Sequence, residues 1–281
     1  MKKIYFASDI DGTLSMEGKP LNIEQRILLK KMHDSGIHII FATGRDYKKL
    51  HEVLEKLDFE YAAICCNGAE IYDSLGNLKF YNILNQNVQS DILHYLEKQD
   101  VLYIVYTQKV NFVRKTVDKN ARLLRLGETA GKEFEAAVEE AKIYNRLIYQ
   151  NTVEQDQLVS MDMEVMKIEV IDERIEKLNE LKAFIEANFS VSVQSSFPYN
   201  LEIAPLQNNK GNAIEKVVEK DAVIIAAGDG MNDLSLFQKS DIKIAMPHAV
   251  SELKKLATHI LGENDDLLEF VGGIINEINR T

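Results

Sequence analysis

Four short stretches hold the residues of this chain that could do chemistry: Asp9-Ile10-Asp11-Gly12-Thr13, Thr43-Gly44-Arg45, Lys210-Gly211 and Gly228-Asp229-Gly230-Met231-Asn232-Asp233. They supply clustered carboxylates, a hydroxyl, an ammonium and several turns opened by glycine. Such a set suits a divalent cation holding a phosphate beside a carboxylate nucleophile. Asp9 and Asp11 are separated by one residue, so both can face one site. Gly12 permits a sharp exit and Thr13 is placed to bond the backbone. Thr43 and Gly44 offer a hydroxyl and amides where a helix begins, a favourable place for phosphate oxygens. Arg45 reads as a structural salt-bridge partner. Asp229, Asn232 and Asp233 crowd three oxygen-bearing side chains into five residues, which a hard cation explains better than helix capping does.

Each stretch also has an ordinary reading. Asp-x-Asp-Gly by itself is a common turn, Thr-Gly commonly caps, and Lys210 alone would be a surface lysine. A calcium-binding helix–loop–helix fits poorly, because the remaining ligands and terminal glutamate are missing at their spacing. Together the four stretches pose an electrostatic problem. Asp9, Asp11, Asp229 and Asp233 in one crevice would repel one another strongly. A site built this way demands a cation.

The elements around these stretches can bring them together. Lys2–Ser8 reads as a buried strand, followed by a helix with Ile23, Ile27, Leu28 and Met32 along one face and Gly36 at its end. A strand Ile37–Ala42, a helix Asp46–Leu57 and a strand Tyr61–Cys66 complete a βαβαβ order, which calls for right-handed crossovers in a mostly parallel sheet. The alternation resumes late, with a helix Asn212–Val218, a strand Ala222–Ala227, a helix Asp233–Gln238, a strand Asp241–Ala245 and a helix Val250–Ala257. A last helix carries Leu267, Leu268, Val271, Ile274, Ile275 and Ile278 on one stripe around Gly272-Gly273. Three of the motifs then fall at carboxyl ends of core strands, where open parallel sheets bind ligands. Lys210 instead opens a helix.

The intervening sequence, from about Ile83 to Ala204, has another texture. Helices are predicted at Val88–Lys98, Gly131–Lys142 and Glu173–Asn188. Strands are predicted at Val101–Thr107, Val110–Val113, Met166–Ile171, Val191–Ser195 and Leu201–Ala204. Closely paired strands point to an antiparallel α+β unit. The organisation expected is an α/β Rossmann-like core from 1–82 and 205–281, interrupted by an inserted domain at 83–204. Tyr103, Tyr106, Arg114 and Arg122 within it read as ordinary core or surface residues.

Bulk properties limit the classes. The 281 residues are long for one core, 46% are apolar, and 27% are charged with only four prolines, so the chain is not compositionally disordered. A formal charge of -11 argues against nucleic acid and anionic membranes as partners. The amino-terminal apolar run is interrupted by Asp9 and Asp11, too short for a signal peptide, and no window has the length to span a bilayer. Cys65 and Cys66 are adjacent, which makes a disulfide implausible; in a strand they would face opposite sides. A cytoplasmic protein is expected.

On these motifs the chain resembles the haloacid dehalogenase superfamily of phosphatases, specifically its Cof-type sugar-phosphatase branch with a large α/β cap. The resemblance covers roughly Lys2–Tyr81 and Leu201–Ile278. It implies that Asp9 is the nucleophile, forming an aspartyl-phosphate, and that Asp11 is the general acid and base. It implies Ile10, Thr43, Gly44, Lys210 and Asn232 as phosphate-binding positions. It implies Mg2+ held by Asp9, the Asp11 carbonyl, Asp229 and Asp233. The substrate would be a small phosphorylated metabolite, with the inserted cap supplying specificity.

Two positions depart from the family pattern. Gln207-Asn208-Asn209 precedes Lys210 where a small hydroxyl residue is usual, and Pro247-His248 replaces a Gly-Asn pair. His248 could approach the site, but its reading is structural. Asn67-Gly68-Ala69 also resembles the family pattern and reads as a hairpin-type turn. Two other functions use the same residues. A phosphomutase would pass the phosphoryl group from Asp9 to a sugar hydroxyl, and acceptor dependence would reveal it. A ligand sensor would not need both Asp9 and Asp11.

Overall fold

A computed structural model describes residues 2–16, 19–55, 57–114, 152–155, 158–195 and 199–278. The chain divides into two compact units, Met1–Tyr81 with Asn208–Thr281, and Asn82–Gln207.

The first unit opens with β1 (Ile4–Ser8), α1 (Ile23–Asp34), β2 (His38–Ala42), α2 (Tyr47–Leu54), β3 (Tyr61–Cys65), β4 (Glu70–Tyr72) and β5 (Leu78–Tyr81). A reciprocal cap between Asn22 and Gln25 starts α1. Asp46 caps α2 by accepting from the Lys49 amide, so it precedes the helix. That helix is shorter than its apolar spacing predicts. Glu55 turns left-handed at φ 51°, which stops the helix before Leu57. Strand β3 likewise ends at Cys65, because Cys66 is left-handed at φ 48°. Strand alternation therefore does not apply to Cys66, and both thiols are buried.

In the second unit, α3 (Gln86–Glu97) precedes β6 (Leu102–Thr107), β7 (Asn111–Arg114), β8 (Thr152–Gln155) and β9 (Val165–Ile171). These are followed by α4 (Ile175–Asn188), β10 (Val191–Gln194) and β11 (Asn200–Pro205). The sheet order is β10-β11-β9-β6-β7-β8, antiparallel throughout except for β7 with β8. One face packs Tyr103, Val105, Ile168, Val170, Leu201 and Ile203 against Ile92, Leu93 and Leu96 of α3 and Leu178, Leu181 and Ile185 of α4. The alternate positions carry a buried polar set, Tyr106, Lys167, Glu169, Asn200 and Glu202. Arg114 donates to the carbonyls of Glu97 and Gln99. The predicted helix Gly131–Lys142 and Arg122 lie outside the described residues. Leu201–Ala204, which the resemblance groups with the core, belongs to this sheet.

The first unit resumes with α5 (Lys210–Ile214), β12 (Val223–Gly228), α6 (Leu234–Gln238), β13 (Ile242–Ala245), α7 (Ser251–Leu256), β14 (His259–Ile260) and α8 (Leu267–Ile278). Helix α5 is shorter than predicted and begins at Lys210 itself. The eight strands run β14-β13-β12-β1-β2-β3-β4-β5, parallel as far as β3 and antiparallel in the β3-β4-β5 meander. Ile4 and Phe6 of β1 pack with α1, α2 and α8. Tyr5 and Ala7 point the other way, toward α5, α6 and α7. Both sheet faces are thus covered, as parallel sheets require. Ser8 pairs with Ala227 on one side and Phe41 on the other, so the motifs after β1, β2 and β12 leave the sheet along one edge. Among the described residues no helix is long and apolar enough to cross a membrane.

Candidate active site

Asp9 continues β1 by one residue, its amide donating to the Ala227 carbonyl at 3.0 Å. Its carboxylate is almost fully buried. The Lys210 ammonium, 0% exposed, donates to Asp9 Oδ1 and to Asp233 Oδ1, each at 2.6 Å. The lysine reaches this point because α5 starts there, with Asn209 as its cap. Asp233 sits in the 3-10 turn Met231–Asp233, where its other oxygen accepts from the Asp229 and Gly230 amides at 3.0 Å each. Both oxygens of this buried carboxylate are therefore occupied.

Asp229 completes the cluster. Thr13 donates its hydroxyl to Asp229 Oδ1 at 3.2 Å, rather than serving only the local backbone as the sequence suggested. Gly12 has φ +79°, and a Cβ there would lie 2.3 Å from Asp229 Oδ2. No other residue fits that turn with Asp229 in place. His248 Nε2 lies 2.8 Å from the Gly12 carbonyl oxygen and 3.7 Å from Asp229 Oδ2. The histidine therefore braces the loop after β1.

Asp11 points elsewhere. Its carboxylate is half exposed and is gripped by one edge of the Arg45 guanidinium, Nε to Oδ2 at 2.7 Å and Nη2 to Oδ1 at 2.6 Å. The structural partner expected for Arg45 is thus Asp11, with bidentate geometry. Thr43 is buried, and its hydroxyl accepts from the Arg45 amide at 3.1 Å. Gly44 follows it in the bend before α2. The Ile10 side chain lies in the apolar core, which leaves only its backbone to meet a phosphate. Asn232 donates its carboxamide N–H to Asn67 Oδ1 at 3.2 Å.

The electrostatics show one imbalance. Burial pushes the Asp9 carboxyl well up; Lys210 pulls it down, and Asp233, Asp229 and Asp11 push it up again. Asp229 is pushed up to about 6, first by burial and then by Asp233, against the pull of Lys210. Burial would lower Lys210, yet Asp233 and Asp9 hold it above its ordinary value. Three carboxylates face one ammonium, so the cluster lacks positive charge. One oxygen from each of Asp9, Asp229 and Asp233 can be chosen so that all lie within 4.8 Å of one another. An all-oxygen set with excess negative charge fits magnesium. The Asp11 side chain is not in this set.

Asn67 is a site neighbour to which the sequence, although its Asn-Gly-Ala segment resembles the family pattern, assigns no contact beyond a turn. Its Asn-Gly pair signals a turn, and nothing local shows which residues that turn will touch.

A parallel α/β sheet with this cluster at its carboxyl edge defines a class, and the family comparison names it. The model of the haloacid dehalogenase-like hydrolases matches residues 6–269, and the chain belongs to that family. Over 273 residues it is 25% identical to 5-amino-6-(5-phospho-D-ribitylamino)uracil phosphatase YwtE of Bacillus subtilis (strain 168), covering 92% of this chain and 93% of the relative. It is 22% identical to pyridoxal phosphate phosphatase YbhA of Escherichia coli (strain K12), covering 94% and 96%. A solved haloacid dehalogenase-like hydrolase from B. subtilis superposes with a TM-score of 0.77 at 22% identity, covering 92% of this chain and 94% of that one. The expected enzyme class, a phosphoric monoester hydrolase of this family, agrees with these matches.

Proposed function

We propose that the protein is a magnesium-dependent phosphatase that hydrolyses a small phosphorylated metabolite through an aspartyl-phosphate on Asp9. The observation that carries this reading is the Asp9 carboxylate, buried at the sheet edge and held by Lys210 among carboxylates that need a cation. An Asp9 oxygen attacks phosphorus, and the bond from phosphorus to the leaving oxygen breaks. Asp11 donates a proton to that oxygen. It then takes a proton from water, whose oxygen attacks phosphorus and releases the Asp9 carboxylate. Arg45 holds both Asp11 oxygens and so sets where this carboxylate rests before it takes up its proton. Lys210, the Thr43 hydroxyl, the Gly44 and Ile10 backbone and the Asn232 carboxamide bind the phosphoryl oxygens as charge shifts. Asp9, Asp229, Asp233 and the Asp11 carbonyl would hold magnesium, which would supply the positive charge that keeps Asp9 ionised beside a phosphate dianion.

The class of substrate follows from the relatives, whose names specify a phosphorylated ribitylaminouracil and pyridoxal phosphate. Both are small phosphate monoesters. Asn82–Gln207, the unit inserted between the two core segments, is proposed as the cap that chooses among such compounds. The test is phosphate release from a panel of sugar, nucleotide and cofactor monophosphates, with and without chelator. Activity lost both with chelator and in Asp9→Asn supports the reading. Activity that survives in Asp9→Asn removes Asp9 as nucleophile.

A further inference from the structure

The turn between β3 and β4 is built in an unusual way. Cys66, Asn67 and Gly68 lie at φ +48°, +51° and +101° in succession. A left-handed run costs free energy for residues with a Cβ, although asparagine tolerates it better than most. Hairpin tips normally lie in solvent, yet Asn67 is only 3% exposed. The strain therefore serves contacts made inside the unit.

Those contacts reach two of the four motif stretches and the residue that precedes a third. The Asn67 amide donates to the Thr43 carbonyl oxygen at 3.0 Å. Its side-chain oxygen accepts from the Asn232 carboxamide at 3.2 Å. A Cβ on Gly68 would lie 2.7 Å from the carbonyl oxygen of Asn209, the residue before Lys210. Asn232 is held from its other side as well, since a Cβ on Gly230 would lie 2.6 Å from its Oδ1.

We propose that Asn67 is a positioning residue of the phosphate site, orienting the Asn232 carboxamide through Oδ1 and fixing the Thr43 end of the site through its backbone amide. The inference rests on the reading of Asn232 as a phosphate ligand. A carboxamide nitrogen carries two N–H donors. Asn67 engages one and so fixes the amide plane, which leaves the second N–H for a phosphoryl oxygen. An Asn232 free to rotate would spend part of its time presenting the wrong edge.

The test is a double-mutant cycle on kcat/KM and on inhibition by inorganic phosphate, with melting temperature recorded for each variant. Asn67→Gly keeps the left-handed backbone and removes the carboxamide. It should lower kcat/KM and weaken phosphate inhibition roughly five- to tenfold, the scale of one hydrogen bond in an active site. In an Asn232→Ala background the same change should cost less than about twofold, because the group it orients is gone. Asn67→Asp keeps the acceptor, so Asn232→Ala should cost as much in that background as in the native one. Equal losses from Asn67→Gly in both backgrounds would reduce Asn67 to a fold residue and overturn the proposal. So would no loss in either. Turnover that persists in Asp9→Asn would count against the nucleophile alone, since the phosphate-inhibition cycle reads Asn67 whichever carboxylate attacks.

Discussion

Each unit of the molecule buries a lysine among carboxylates, and the two clusters are balanced differently. In the first, Lys210 faces Asp9 and Asp233 with Asp229 beside them, and the Asp9 and Asp229 carboxyls are pushed up. In the second, Lys167 donates to Glu202 at 2.6 Å and lies 4.5 Å over the Tyr106 ring. There Glu169 accepts from two neutral groups, the Tyr106 hydroxyl at 2.7 Å and the Asn200 side-chain amide at 2.9 Å. The second network mixes an ion pair with neutral donors, while the first crowds three carboxylates around one ammonium. Burial of charge alone does not mark a catalytic site. What sets the first cluster apart is that oxygens of three carboxylates lie close enough together to share a cation.

The strongest way to break this contrast is to remove Asp9. Asp9→Asn should lower phosphate release by at least about a thousandfold, as expected when a nucleophile is lost. It should not lower the melting temperature of the magnesium-free protein, because one excess carboxylate has gone. A folded but clearly less stable Asp9→Asn protein would show that the cluster is balanced after all.

Removing the lysine of the other network should do the reverse. Lys167→Met removes the buried Lys167–Glu202 ion pair from one side and should cost roughly 3–5 kcal/mol in denaturant unfolding. If stability holds while turnover falls, the second network is functional and the contrast fails.

A pH experiment sharpens the contrast within the first unit. Glu70 on β4 is pushed up to about 7, first by burial and then by Asp46. A carboxyl whose folded pKa is raised binds its proton more tightly in the folded state. Its contribution is therefore fully present below the unfolded value and lost as pH rises through about 7. Glu70→Gln should match the native protein near pH 5 and be more stable near pH 8, by at most about 3 kcal/mol. Parallel stability curves for the two proteins across that range would remove Glu70 as a buried acid.

The smallest effect is expected at Arg45. Lysine keeps the charge but loses the bidentate grip on Asp11, so Arg45→Lys should lower kcat by about tenfold with little change in KM or stability. A change in KM alone would place Arg45 on the substrate rather than on Asp11.

The fold of the first unit was largely legible because its strands are apolar runs separated by helices of clear period, as in β1-α1-β2 and α8. Short pieces escaped. Strands β4, β5, β8 and β14 are two to four residues long, too short for a period to show. Helix α2 was read too long because Leu57 continues the apolar spacing, whereas backbone strain at Glu55 ends the helix. In the candidate site, residue identities were legible and partners were not. Thr13 was paired with its own loop and is found on Asp229, Arg45 was left without a named partner and is found on Asp11, and Asn67 was read as a turn alone.

What the sequence determined by itself was the inventory: which side chains are acidic, which turns need glycine, and where strands end. Those are local properties, fixed by residue type and spacing. Only the tertiary structure decided that Lys210 meets Asp9 across 201 positions, that Asn232 meets Asn67 across 165, and that Asp11 turns away from the other carboxylates. These pairings follow from parallel strand order and register, which set distances in space that the chain's own spacing does not contain.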